Sequence, residues 1–399
     1  VQTTDNYWRR NMYVLAFGNF IAGIGFSMVT PFLPLYINTL GKFSNQQTSM
    51  WSGIALSVTF IISAIISPFW GKLADQKGRK LIILRASLGM GIVIGAMSLV
   101  TNVYQLVFLR GLQGIFAGYI SNSNTLIATS APHKHVGKAL GTLTTGTVSG
   151  SLLGPLVGGA VAQVWGYRLP FLITGCLLLA AFFLCLFFVQ EKFTPVSKGK
   201  IPSLREVMQK LSNPQVVIGM FVTTLIIQTA NNSINPIISL YVKQLMHNSG
   251  QVALISGIVT AMPGIPAALL SSKFGDLGDR IGTKKVLLAG LILSTLVYVP
   301  QAAVNQVWQL IILRFIVGIA DAALLPQVQT ILAKDSPHEV SGRIFGYNQS
   351  FQYIGNCAGP LLGSTISGSF SYSAVFLSTA LLEFINLIWV YGTTKKGQN

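Results

Sequence analysis

Residues 71–80 read Gly71-Lys72-Leu73-Ala74-Asp75-Gln76-Lys77-Gly78-Arg79-Lys80, and residues 275–284 read Gly275-Asp276-Leu277-Gly278-Asp279-Arg280-Ile281-Gly282-Thr283-Lys284. Gly, Leu, Asp, Gly and Lys coincide at an offset of 204. The same offset carries Ser52-Gly53-Ile54 onto Ser256-Gly257-Ile258, and Leu109-Arg110 and Gly114 onto Leu313-Arg314 and Gly318. An offset of 205 carries Pro31 and Tyr36 onto Pro236 and Tyr241, and Gly154-Pro155 and Gly158 onto Gly359-Pro360 and Gly363. One offset kept at this many positions marks an internal duplication.

What is duplicated follows from the sequence around these stretches. Of 399 residues, 51% are hydrophobic and 9% charged, against about 25% charged in a soluble domain. That excludes a soluble enzyme, a disordered chain and a disulfide scaffold, and makes lipid the solvent. Apolar segments long enough to cross ~30 Å of hydrocarbon fall at 11–37, 51–73, 81–101, 104–130, 137–165, 170–189, 215–244, 252–274, 284–303, 307–333, 343–367 and 373–391. The fold class is therefore an all-α integral membrane protein of twelve transmembrane helices. Its expected parts are a six-helix bundle over 1–189, a linker over 190–214 and a second six-helix bundle over 215–399. A 6+6 duplication with a ligand site between the halves is secondary-transporter architecture.

The net charge of +17 fits this reading through its placement. Of the 27 Lys and Arg, 22 fall at the two ends and in every second loop, Arg85 counted among them. Bases so placed set topology, with those loops and both termini in the cytoplasm of a cell whose inner membrane holds the chain. They do not form a nucleic-acid surface. In the linker, Ser203 and Glu206 have capping-box spacing, and Leu204, Val207, Met208 and Leu211 follow on one helical face, which predicts a short amphipathic helix. The three cysteines lie in apolar runs without metal-ligand spacing, so no metal or cofactor is expected. No phosphate-binding GxxxxGK[ST] occurs, so an ion gradient is the expected energy source.

The motifs resemble those of the major facilitator superfamily over the whole chain. Gly71 to Lys80 matches its signature loop, Leu109-Arg110-Gly111 its arginine motif, and Gly150-x-x-x-Gly154-Pro155-x-x-Gly158-Gly159 the motif of drug:proton antiporters. Pro31-Phe32-Leu33-Pro34-Leu35-Tyr36, Ser67-Pro68-Phe69-Trp70-Gly71 and Phe345-Gly346-Tyr347-Asn348-Gln349-Ser350-Phe351 are similar to the MdtG-like multidrug-efflux branch. The resemblance implies a transporter, not an enzyme, that exports amphipathic drugs in exchange for protons, and a monomer is expected. It also implies a proton-coupling acid in the tenth span. A sugar or metabolite exporter on the same fold is the alternative.

Each motif also has a physical reading. Gly71, Asp75, Gly78 and Arg79 form a conformational gate if Asp75 accepts hydrogen bonds from a neighbouring helix N-terminus or pairs with a cation; otherwise these charges only fix topology. Asp279 and Arg280 are the second copy. Gly150, Gly154 and Gly158, with Gly146, make a smooth stripe beside Pro155, expected either to contact a helix of the other half or to serve plain tight packing.

Charges inside the spans are sharper signals. Asp321 and Arg314 in the tenth span share a face two turns apart, either around a proton site or as a permanent ion pair. Arg110 in the fourth supplies a second cation. Glu383 in the twelfth is a second proton site, a snorkelling side chain or a protonated one. Candidate drug contacts are neutral amides and aromatics. The fourth span offers Phe116, Tyr119, Asn122 and Asn124, the seventh Gln228, Asn231, Asn232 and Asn235. The tenth and eleventh add Phe315, Asn348, Phe351 and Gln352. Each amide singly has the alternative of an interhelical hydrogen bond.

Overall fold

The structure, a computed structural model, describes residues 7–132, 136–192, 211, 213–247, 250–336 and 341–396, without the side chains of 75, 136–138, 341–343 and 394–396. The predicted linker helix and the Asp75 side chain therefore lie outside the described residues.

No strand occurs among the described residues, which form sixteen α-helices and two short 3-10 turns. They are α1 (Tyr7–Ser27), α2 (Leu33–Thr39), α3 (Asn45–Lys77), α4 (Arg79–Ala96), α5 (Val103–Phe116), α6 (Tyr119–Ser130), α7 (Val136–Trp165) and α8 (Leu169–Phe188), followed by α9 (Pro214–Ser233), α10 (Ile238–Leu245), α11 (Val252–Ala261), α12 (Gly264–Ile281), α13 (Thr283–Gln301), α14 (Val307–Lys334), α15 (Ser341–Ser369) and α16 (Tyr372–Lys396). Sixteen helices answer to twelve predicted spans because four spans are broken. The first parts before Pro31 and the seventh before Pro236; the eighth parts at Met262-Pro263. A proline has no N–H to give and its ring crowds the preceding turn. The fourth span parts between α5 and α6 at Gly118, whose φ of +115° is left-handed, a conformation only glycine adopts freely.

Ten helical stretches among the described residues are long and apolar enough to cross a membrane. The other two predicted spans are the broken α5–α6, in pieces of 14 and 12 residues, and α15, which is 29 residues long but rich in Gly, Ser, Asn and Gln. Large apolar side chains stand fully outward, among them Ile65, Phe187, Leu269 and Leu296. A surface of that kind is stable against lipid and not against water.

The helices gather into two compact units. One comprises residues 1–42, 61–197 and 253–261, the other residues 43–60, 198–252 and 262–399. In the first, Leu15, Ala22, Ile83, Tyr119, Leu126 and Leu143 form the core; in the second, Met220, Phe221, Leu287, Leu291, Leu324 and Val328 do. The duplication is visible in detail. The buried Tyr36 hydroxyl donates to the Met97 carbonyl at 2.8 Å, and the buried Tyr241 hydroxyl donates to the Gln301 carbonyl at 3.1 Å.

The glycine stripes repeat as well. A Cβ on Gly146, Gly150 or Gly158 would strike the Ala16, Phe20 or Met28 carbonyl of the first span, and one on Gly154 would strike Ser27. On α15, Gly355, Gly359 and Gly363 meet the Leu225, Thr229 and Ser233 carbonyls of α9 in the same way. The α7 stripe thus packs on the first span of its own half, where the sequence left open a partner from the other half. Residues four apart stay on one face, and a step of 100° reaches the next. There Gly159 meets the Ala253 carbonyl of α11, and Gly257 of α11 meets the Pro155 carbonyl.

Candidate functional site

In the second unit, α9, α13, α14 and α16 bring polar groups together within apolar packing. Asp321 lies midway along α14 and is half-buried. It accepts a hydrogen bond from Asn231 Nδ2 at 3.1 Å, and Asn231 Oδ1 accepts one from the Tyr298 hydroxyl at 3.1 Å. The buried Arg314 guanidinium lies beside that hydroxyl, within electrostatic reach of Asp321. Asp321 makes no ion pair among the described residues, so the permanent-pair alternative does not describe it.

Glu383 on α16 is fully buried. That excludes snorkelling, which needs the charged head in the interface. Neither of its oxygens has a hydrogen-bond partner among the described residues. The equally buried Asn386 stands beside it short of ordinary hydrogen-bond geometry, and Asp321 is within electrostatic range.

The amides of α9 divide their work. Asn232 donates to the Gln228 carbonyl and to Asn356 Oδ1 of α15 at 3.0 Å, and Asn235 donates to Asn232. The Thr224 hydroxyl donates to the buried Asn348 at 2.8 Å. These bonds lace α9 to α15, the interhelical alternative foreseen for single amides. Phe351 stacks on Phe221 with centroids 5.4 Å apart, Gln352 is half-buried, and Phe315 stands outward.

In the first unit, Arg110 is buried on α5 and donates to Gln113 Oε1 at 3.2 Å. Asn122 donates to the Gly118 carbonyl at 2.7 Å and accepts from Arg79 Nη1 at 3.3 Å. Asn124 accepts from Asn19. Tyr119 is packed in the core, its hydroxyl 3.1 Å from Cys185 Sγ, and Phe116 lies over Gly89 of α4. Both aromatics face neighbouring helices of their own unit.

At the signature loop, Gly71 has open space around it and Gly78 has a φ of +98°. The carboxylate at the N-terminus of α4 comes from far along the chain: Glu191 accepts from the backbone N–H groups of Arg79 and Lys80, each at 2.8 Å. In the second copy Gly282 repeats the positive φ at +108°. Asp279 pairs with Lys334 at 2.9 Å on an exposed surface, and Arg280 is solvent-exposed.

Arg85 also needs correcting. It is no loop base. From α4 it donates to the Ile115 carbonyl at 2.7 Å and the Ala117 carbonyl at 2.8 Å, at the break between α5 and α6. Its place in the apolar run Leu81-Ile82-Ile83-Leu84-Arg85-Ala86 was the signal available in the sequence.

Comparison with known proteins agrees with the helices and the repeat. The family model of the Major Facilitator Superfamily matches residues 15–255 and 220–399. The chain is 49% identical over 389 residues to the multidrug resistance protein MdtG of Escherichia fergusonii, covering 98% of this chain and 95% of that one. It is 50% identical to MdtG proteins of Escherichia coli, with the same coverage. A bacterial homologue of the human lysosomal transporter Spinster superposes with a TM-score of 0.82 at 16% identity, over 98% of both chains. The nucleoside transporter NupG does so with a TM-score of 0.80 at 13% identity, over 97% of this chain and 100% of its own. The chain therefore belongs to the Major Facilitator Superfamily, as a multi-pass membrane transporter and not an enzyme.

Proposed function

We propose that this transporter exports amphipathic drugs across the cell's inner membrane in exchange for inward-moving protons, as a monomer with both termini in the cytoplasm. The observation that carries the reading is Asp321, a half-buried carboxyl midway along a membrane-spanning helix, held by an amide and by no ion pair among the described residues. A neutral carboxyl is tolerated in low dielectric, whereas a carboxylate calls for water or a cation. Exposure to one side and then the other therefore couples to proton uptake and release. Arg314 sets the local field, and Glu383 is a second proton site within range of the first. Asn122 and Asn124 in the first unit and Gln228, Asn231 and Gln352 in the second are the proposed polar contacts to the drug, while Tyr119, packed in the core, and Asn348, bonded to Thr224, serve their own units instead. Two supports come from outside the site: relatives half identical over nearly the whole chain are multidrug resistance proteins, and the glycine-proline stripe resembles that of drug:proton antiporters.

The test is dye efflux from vesicles holding the purified protein under an imposed pH gradient, with ethidium as the dye. Efflux that follows the gradient and collapses with a protonophore is expected. Efflux indifferent to the gradient would remove the proton, and competition by sugars but not by lipophilic cations would favour the sugar-exporter reading.

A further inference from the structure

Ending a helix inside a membrane frees carbonyls that lipid cannot satisfy. The break at Gly118 leaves such groups at the C-terminus of α5, and side chains from three other helical positions meet them. The Ser63 hydroxyl donates to the Gly114 carbonyl at 3.1 Å, and the Trp70 indole to the Ile115 carbonyl at 2.9 Å. The Arg85 fork takes the Ile115 and Ala117 carbonyls, with its guanidinium 3.8 Å from the centroid of the Trp70 ring. Asn122 closes the Gly118 carbonyl from the far side. In the second copy Ala267, Phe274 and Ala289 stand at the positions of Ser63, Trp70 and Arg85, and α14 runs unbroken. The donors and the break occur together.

We propose that Arg85, seated on Trp70, is a positioning residue for drug recognition: it fixes the angle and register of α6 against α5, and so places Asn124 without itself touching the drug. The inference rests on the proposed drug-export reading and deepens it. A planar fork serving two carbonyls at once fixes a direction, which a single ammonium does not. The α3–α4 connection carries the signature loop, and its Arg79 reaches α6 through Asn122. The same loop that sits between α3 and α4 is thereby tied to the half-helix bearing a drug contact.

The experiment uses the full chain in vesicles, with ethidium and tetraphenylphosphonium as probes. Arg85→Lys is expected to raise KM for ethidium about fivefold to tenfold with Vmax within about twofold, because ground-state recognition is loosened while turnover is kept. Trp70→Phe removes one N–H donor and is expected to raise KM about twofold; it keeps the test open should Arg85→Lys fail to fold. Adding Asn124→Ala to Arg85→Lys is expected to raise KM little further, since residues acting through one another do not add. Amide hydrogen exchange supplies a drug-independent arm: residues 118–124 should exchange about tenfold faster in Arg85→Lys, with residues 319–326 unchanged. Loss of Vmax at constant KM, additive KM changes, or unchanged exchange at 118–124 would each overturn the positioning role. Wild-type protein without saturable drug transport would instead overturn the export reading, and the exchange arm would still decide the clamp.

Discussion

The fourth and tenth spans hold the same place in the two copies of the repeat and solve opposite problems. In the fourth, Ala117 and Gly118 interrupt the helix, and Gly118 takes a φ of +115° that lets α6 start afresh. In the tenth, 204 residues on, Asp321 and Ala322 stand there and α14 continues through them. The first copy keeps its polar groups on the backbone and meets them with Ser63, Trp70 and Arg85. The second keeps its backbone paired and puts the polarity on a side chain, met by Asn231. Around both, the glycine stripes that pack α7 on the first span and α15 on α9 are alike. The scaffold kept its repeat while the chemistry at one shared position diverged.

The largest effect expected from breaking this contrast is at the acid. Asp321→Asn keeps volume and the Asn231 contact but removes the titratable proton. Proton-driven efflux should fall by about 100-fold or more, the usual scale for deleting an essential acid–base group, while dye binding in detergent persists. Full pH-driven efflux by this variant would leave the second copy without its proposed role. Glu383→Gln should cost less, about tenfold, as the more enclosed of the two proposed proton sites. Wild-type coupling in that variant would mark Glu383 as a buried, permanently neutral group.

Next comes the backbone. Gly118→Ala places a Cβ where nothing is closer than 3.4 Å, so space is not the obstacle and conformation is. A non-glycine residue held left-handed costs about 1–2 kcal/mol. The reciprocal change, Ala322→Gly in the unbroken helix, should cost only the helix-propensity difference of about 1 kcal/mol. Thermal unfolding in detergent compares the two. Equal effects would mean that the break carries no strain of its own.

The repeat, the spans and the inward acid were legible because each is a pattern along the chain: a fixed offset, a run of apolar residues, one carboxyl where carboxyls are costly. Contacts between distant segments were not. Glu191 meets Arg79 from 112 positions away, and nothing in its own neighbourhood announces a helix N-terminus. Arg85 was misplaced because a count of bases cannot tell a side chain in the loop from one a few residues inside the helix. Tyr119 beside Asn122 and Asn124 reads as a cavity face, yet the turn at Gly118 rotates it into the core. Amides look the same in sequence whether they meet a ligand, as proposed for Asn124, or another helix, as Asn348 does.

The smallest expected effects separate the two copies of the signature loop. Gly78 and Gly282 share a positive φ and each precedes a helix, α4 or α13. Among the described residues, of these two helices only α4 has a carboxylate on its first turn, with Glu191 accepting two backbone N–H groups at 2.8 Å. A charge-assisted cap also meets the positive end of the helix dipole. Glu191→Ala should therefore lower stability by about 1–2 kcal/mol. In the second copy the signature-loop carboxylate, Asp279, pairs with Lys334 where both side chains are more than half exposed, at 67% and 57%. Water and salt screen such a pair, and Asp279→Asn should cost no more than about 0.5 kcal/mol. Raising salt from 50 mM to 500 mM should erase that smaller loss, since exposed pairs are screened, and leave most of the Glu191 effect, whose bonds to the backbone are short and directional. Equal losses, both removed by salt, would reduce Glu191 to one more surface charge and make the two loops equivalent after all.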